Sequence, residues 1–231
     1  MTPALLAQVM EATWPPARSW TLGPFRLRDG AGGGKRVSAT TVEGSWDGAA
    51  LAAAEAAMDA PLFALRVGDE ALDEALAARG YRIVDPVVAY AAPVAALAGT
   101  LPFLAAFAHW PPLEVARDIW AEGGIGATRV AVMQRVAGPR AAVLARTDER
   151  PVGAAFVACD GPEAMLHALE VRNLARRRGT GQRLLRAAAN WAADQGATRL
   201  SLLVTERNIA ARALYDAAGM AVVGRYHYRE K

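Results

Sequence analysis

The chain has 231 residues, 53% of them hydrophobic and 21% charged, with a formal net charge of +3 at pH 7. That supplies one or two buried cores and excludes wholesale disorder. One cysteine, Cys159, excludes an intrachain disulfide, and three scattered histidines beside it form no recognised metal spacing, so no metal is expected.

The N-terminus lacks a basic region, a long apolar core and a cleavage pattern, which argues against a signal peptide and for a cytoplasmic protein. A helix is expected from about Ala4 to Thr13. Phe25–Arg28 and Arg36–Val42 flank the glycine-rich stretch Gly30–Gly34 and read as a hairpin. The same stretch, ending in Lys35, invites a phosphate-loop reading. The spacing fails, because position 29 is Asp and Arg36 stands where Ser or Thr is needed; it is also expected to open a strand. A helix from Ala49 to Met58 and a strand from Leu62 follow. Asp69 is placed to cap a helix carrying Leu72 and Leu76, stopped by Gly80, and Tyr81–Val84 and Val87–Tyr90 read as closing strands.

From Val87 to Trp110 there is no Asp, Glu, Lys or Arg, a length that could cross a bilayer. Pro93, Gly99 and Pro102 interrupt it, so a strand, a linker and a helix start are expected, with no membrane partner. Beyond lie a helix over 104–121, a helix or strand over 129–136, and strands at 141–146, 152–158 and 165–171. A helix over 181–195, a strand at 200–204 and a helix from Asn208 to Ala218 follow. The halves end alike: Gly80 set over Gly219 puts Leu76 over Tyr215. This predicts a domain over 1–98 and another over 99–231.

The chemistry concentrates in Leu169-Glu-Val-Arg-Asn-Leu-Ala-Arg-Arg-Arg-Gly-Thr-Gly. An apolar strand ends at Val171 and a helix starts near Gly181. Backbone N–H groups and the positive end of the helix dipole make such a turn an anion site. Gly179 and Gly181 let the backbone approach a phosphate, and Arg172, Arg176, Arg177, Arg178 and Arg183 add positive charge. The alternative is a solvated arginine run before an ordinary helix.

Arg176-x-x-Gly179-x-Gly181 resembles the Gln/Arg-x-x-Gly-x-Gly/Ala signature of the GNAT N-acetyltransferases. Asn208 with Ala213-Leu-Tyr215 and Gly219-Met220 resembles the family's second signature. The likeness covers about Ala141 to the C-terminus; the first half looks like the degenerate N-terminal repeat of tandem GNAT proteins.

The resemblance implies an α/β fold of the α+β type, with two GNAT-like mixed-sheet halves, the C-terminal one complete. It implies acetyl-CoA as cosubstrate and an amine, on a small molecule or peptide, as acceptor. Leu169 and Val171 would pair with the pantetheine arm, with Arg176 beside them. Amides of Arg177, Arg178, Gly179, Thr180 and Gly181 would hold the pyrophosphate, and Asn208 would touch the cofactor. Tyr215 would protonate the leaving thiolate. His167, expected to share a strand face with Leu169 and Val171, is the first candidate base, and Glu170, on the opposite face, is the second. A non-catalytic acyl-CoA sensor or interaction module is the alternative. No nucleic-acid partner is expected, since the excess arginine is local; a homodimer stays open.

Overall fold

The computed structural model describes residues Met1–Lys231. Helix α1 (Pro3–Thr13) is capped by the Thr2 hydroxyl, which accepts from the Leu5 N–H. Strands β1 (Arg18–Leu22) and β2 (Phe25–Asp29) form a tight hairpin around Gly23, whose φ of 56° suits glycine.

The hairpin expected around Gly30–Gly34 is therefore replaced. The loop leads instead into a short helix, α2 (Lys35–Ser38), and only the short β3 (Thr41–Val42) rejoins β2. The cause is packing. A Cβ at Gly33 would lie 2.5 Å from Val132 and 2.9 Å from Val37, so this glycine stretch folds down onto the core.

Next come α3 (Gly48–Ala56), β4 (Leu62–Arg66), α4 (Glu70–Ala78) and β5 (Arg82–Pro93). The Asp69 carboxylate accepts from the Arg66 N–H and does not cap α4 as expected. β5 is one strand where two were expected, marked by Asp85 at a φ of 44°.

After α5 (Val94–Leu97), residues expected as helix form strand β6 (Ala106–His109), paired antiparallel to β7 (Arg140–Thr147). Pro111 and Pro112 hold off the next helix, so α6 runs Glu114–Glu122. The ambiguous stretch is helix α7 (Ala127–Arg135). Strands β8 (Arg150–Asp160) and β9 (Glu163–Val171) follow, then a single 3₁₀ turn at Asn173–Ala175. The chain closes with α8 (Thr180–Asp194), β10 (Arg199–Thr205), α9 (Ile209–Ala217) and β11 (Ala221–Glu230).

Eight strands form one mixed sheet in the order β4-β11-β5-β10-β9-β8-β7-β6, and β1-β2-β3 form a small sheet beside it. The α/β class of the sequence reading stands. The units β4–α4–β5 and β10–α9–β11 exchange their second strands: β5 pairs with β10, and β11 pairs with β4. β5 and β11 also pair with each other, so the sheet runs unbroken across residue 98.

The larger core lies between one face of the sheet and the apolar side of α8, including Leu184, Leu185, Ala188 and Ala192. A second core on the other face holds Trp14, Ile119, Trp120, Met133 and Phe156. β7 and β8 are buried on both faces, which explains their near-continuous apolar runs. No helix is long and apolar enough to cross a membrane.

Candidate active site

β9 and β10 run parallel and pair only from Glu163↔Arg199 to Leu166↔Leu202. Beyond that the two strands part, because β10 stays with β5 while β9 stays with β8. The split opens a cavity on each side.

At the split, β9 carries a bulge. Ala168 sits at a φ of 51°, and its carbonyl accepts from the Trp120 indole N–H at 2.9 Å. The extra residue reverses the alternation of the strand, which corrects the face assignment made from period two. Leu169 and Val171 pack toward the α8 core with Leu166. His167 faces the other way, stacked on Trp14 at 4.9 Å and beside Phe156. Glu170 lies on this second side as well, because a Cβ on Gly123 after α6 would meet its carboxylate group. His167 therefore does not share a face with Leu169 and Val171, and Glu170 is not opposite His167.

The first cavity, about 920 Å³, runs from Leu169, Glu170 and Val171 past Arg176, Arg177 and Gly179 to Asn208 and Leu214; Arg178 does not line it. Gly179 occupies the N-cap position of α8 in the left-handed conformation, φ 75° and ψ 4°, with no side chain capping the helix and no acid in its first turn. The N–H groups of residues 177–182 donate to no backbone carbonyl. Orphan donors at the positive end of a 15-residue helix favour a negative charge beside them. By contrast, Asp47 caps α3 with its own carboxylate, accepting from the Ala50 N–H at 2.8 Å.

The arginines divide by partner. Arg172 is tied to Glu122, and Arg183 donates to Thr147 Oγ1 at 2.7 Å. Arg176 reaches back to Glu170 Oε1 at 3.0 Å and to the Val171 carbonyl at 3.0 Å. Arg177 and Arg178 have no ion pair. The Arg172 N–H donates to the Val152 carbonyl, so by alternation the backbone groups of Leu169 and Val171 point away from β8 into the groove. Asn208, which lines the groove, caps α9 through its oxygen, which accepts from the Ala211 N–H at 3.1 Å.

The second cavity, about 390 Å³, is lined by His167, Trp14, Leu203 and residues of the N-terminal half, including Lys35, Arg36 and Asp85. His167 is 4% exposed. Arg36 Nη1 lies 3.0 Å from its Nδ1, and Thr13 Oγ1 lies 2.9 Å from its Nε2. A guanidinium only donates, so Nδ1 accepts; Nε2 carries the proton and donates to Thr13, whose hydroxyl donates to the Val9 carbonyl. Burial, then the charge of Arg36, hold the imidazole well below its ordinary pKa of 6.5 and keep it neutral. Asp85 is held low, first by its hydrogen bond with Lys35 at 2.9 Å.

Tyr215 lines neither cavity. It is 6% exposed, its ring tilted against Tyr90 at 5.7 Å, and burial raises its hydroxyl to about 12. Sequence reasoning missed Trp14, Arg36, Asp85 and Arg129, all of which line the second cavity. The glycine stretch before Lys35 was the one local signal, and its value lies in contacts about 130 positions away along the chain, such as Arg36 with His167.

Residues 106–220 match the acetyltransferase (GNAT) family. An uncharacterised N-acetyltransferase of Bacillus subtilis, YobR, is 38% identical over 56 residues, a segment covering 24% of this chain and 23% of that protein. The fold is similar to a GCN5-related N-acetyltransferase from Kribbella flavida, with a TM-score of 0.71, 20% identity, and 99% and 95% of the two chains covered. It is also similar to a tandem GNAT protein from the clavulanic acid biosynthesis pathway, with a TM-score of 0.63, 13% identity, and 99% and 88% covered.

Proposed function

We propose that this chain, whose residues 106–220 are of the GNAT acetyltransferase family, moves an acetyl group from acetyl-CoA to an amine by direct attack. The observation that carries the proposal is the run of unpaired amides over residues 177–182 at the mouth of α8. Acetyl-CoA supplies a thioester: the amine nitrogen bonds to its carbonyl carbon, the C–S bond breaks, and the sulfur leaves with the electron pair.

In this reading the amides of Arg177, Arg178, Gly179, Thr180 and Gly181 hold the pyrophosphate, with the unpaired Arg177 and Arg178 nearby. Leu169 and Val171 offer main-chain groups to an extended arm, as a sheet edge does to an added strand. Arg176 and Glu170 hold both polar groups of Val171, since Glu170 Oε1 accepts from its N–H at 3.2 Å and Arg176 donates to its carbonyl. Binding of the arm exchanges these contacts, so Glu170 belongs to cofactor entry and carries no proton. Asn208 contributes its free NH₂.

Tyr215, which lies buried directly after the groove-lining Leu214, is assigned the proton for the departing sulfur, its hydroxyl being uncovered when the arm binds. The amine's proton goes to His167 Nδ1, the lone pair that Arg36 covers until an acceptor arrives. Attack by the neutral amine creates positive charge on nitrogen, and removing that proton commits the step. The first half of the chain is read as a degenerate GNAT-like partner over 1–98. Its Asp47 carboxylate occupies the helix mouth where a phosphate would bind, and Leu76 stands where Tyr215 stands in the second half. It does not catalyse; it builds the acceptor wall.

The test is thiol release from acetyl-CoA with a mixed amine panel. Release that depends on both substrates supports transfer. CoA binding without release for any amine favours the sensor alternative.

A further inference from the structure

The charges lining the second cavity do not balance. Lys35 is satisfied by Asp85 at 2.9 Å and Glu230 at 3.2 Å, and Asp85 also meets Arg207 at 3.0 Å. Arg36 and Arg129 have no carboxylate partner. Arg36 spends Nη1 on a neutral imidazole and lies 6.0 Å over the Trp14 ring, while its Nε is buried with no hydrogen-bond partner at all. A buried donor without an acceptor is unfavourable, and a ligand acceptor removes that penalty. Arg129, at the start of α7, makes no ion pair, and its guanidinium lies over Gly34, 3.5 Å from where a Cβ would stand. Two guanidiniums without anions thus line the same cavity as His167.

Resting on the acetyl-transfer reading, we infer that the acceptor is an amine that also carries a carboxylate, an amino acid or a close relative, with the carboxylate held by Arg36 and Arg129. The planar fork of a guanidinium matches a carboxylate through two parallel hydrogen bonds, so Arg36 has a better partner in the ligand than in His167. When Arg36 turns to the ligand, Nδ1 of His167 is uncovered next to the amine that must lose a proton. The acceptor then arms its own base, and an amine without the acid leaves His167 blocked. Trp14, Ile125 and Val87 give the cavity an apolar wall for the remainder of the ligand.

The experiment compares matched acceptors, amino acids against their carboxamides, in steady-state acetyl transfer by the full chain. The carboxamide's amine is less basic and more of it is free, so a preference for the acid does not arise from amine availability. Charge-assisted hydrogen bonds being the strong ones, the acids are expected to have kcat/KM on the order of tenfold higher or more. Arg129→Gln and Arg36→Gln are expected to close that gap. Arg129 is exposed, so its variant keeps the test usable if Arg36→Gln fails to fold. Equal or better turnover of the carboxamides overturns the inference and leaves acetyl transfer standing. If no acceptor is turned over, calorimetry with the CoA-saturated protein decides. Selective binding of the acids upholds the carboxylate site while the acetyl-transfer reading fails, and binding of neither member of a pair overturns both.

Discussion

Replacing Tyr215 with phenylalanine removes one oxygen from a ring that stays where it is. The ring packs against Tyr90 at 5.7 Å and lies in the larger core, and phenylalanine fills the same space. The hydroxyl is raised by burial alone, with no hydrogen bond among the causes. Its loss therefore leaves no orphaned partner, and Tm is expected within about 2 °C of the parent. The kinetic effect is different. A positioned acid is typically worth ~10²–10⁴-fold. With its hydroxyl at about 12, Tyr215 stays protonated at any working pH but is a reluctant donor to a thiolate. That favours the low end, on the order of a hundredfold loss in kcat. The assay is thiol release at saturating acetyl-CoA, with a parallel calorimetric titration showing CoA affinity unchanged. A variant with parental kcat and parental affinity would refute the role of Tyr215 as acid.

Three further outcomes are expected. His167 binds no proton in the fold near pH 6 although the unfolded chain does, so its folded-state pKa is depressed. Stability must then fall as pH drops below about 6.5, by at most ~1.4 kcal/mol per unit. Urea unfolding from pH 7.5 to 5.5 measures that slope; His167→Gln should flatten it, whereas the depressed carboxylates Asp73 and Asp85 act only at lower pH. A fragment of residues 99–231 should fail to give a cooperative unfolding transition, because β10 and β11 both lose β5; a well-folded fragment would count against the strand exchange. Glu170→Gln should leave kcat within about threefold, as expected for a group outside proton transfer; a hundredfold loss in kcat would restore it as a base.

The legible parts of the sequence were those whose causes are local. The helix of Leu184, Leu185 and Ala188, the strands of the second half and the mouth at Gly179–Gly181 follow from periodicity and from glycine at a turn. The face of His167 was misread because period two assumes an unbroken pleat, and the bulge at Ala168 is held by a tryptophan 48 positions away. Ala106–His109, expected within a helix, became a strand because β7 offered an open edge. The glycine stretch before Lys35 was judged by its immediate neighbours, while Val132 and His167 determine what it does. Nothing in a local window announces that the first half of the chain supplies the wall of a cavity cut by the second.

The central claim is that the free amides at the mouth of α8 hold the pyrophosphate, and calorimetric titration of CoA into the parent and Gly179→Ala tests it most directly. A Cβ at Gly179 meets nothing within 4 Å, so the substitution acts only through backbone conformation. A left-handed alanine costs roughly 1–2 kcal/mol, which tilts the N–H groups out of line. Losing one or two charge-assisted hydrogen bonds is expected to weaken CoA on the order of tenfold to a hundredfold. No detectable binding by the parent, or equal affinities for the two proteins, would contradict the account.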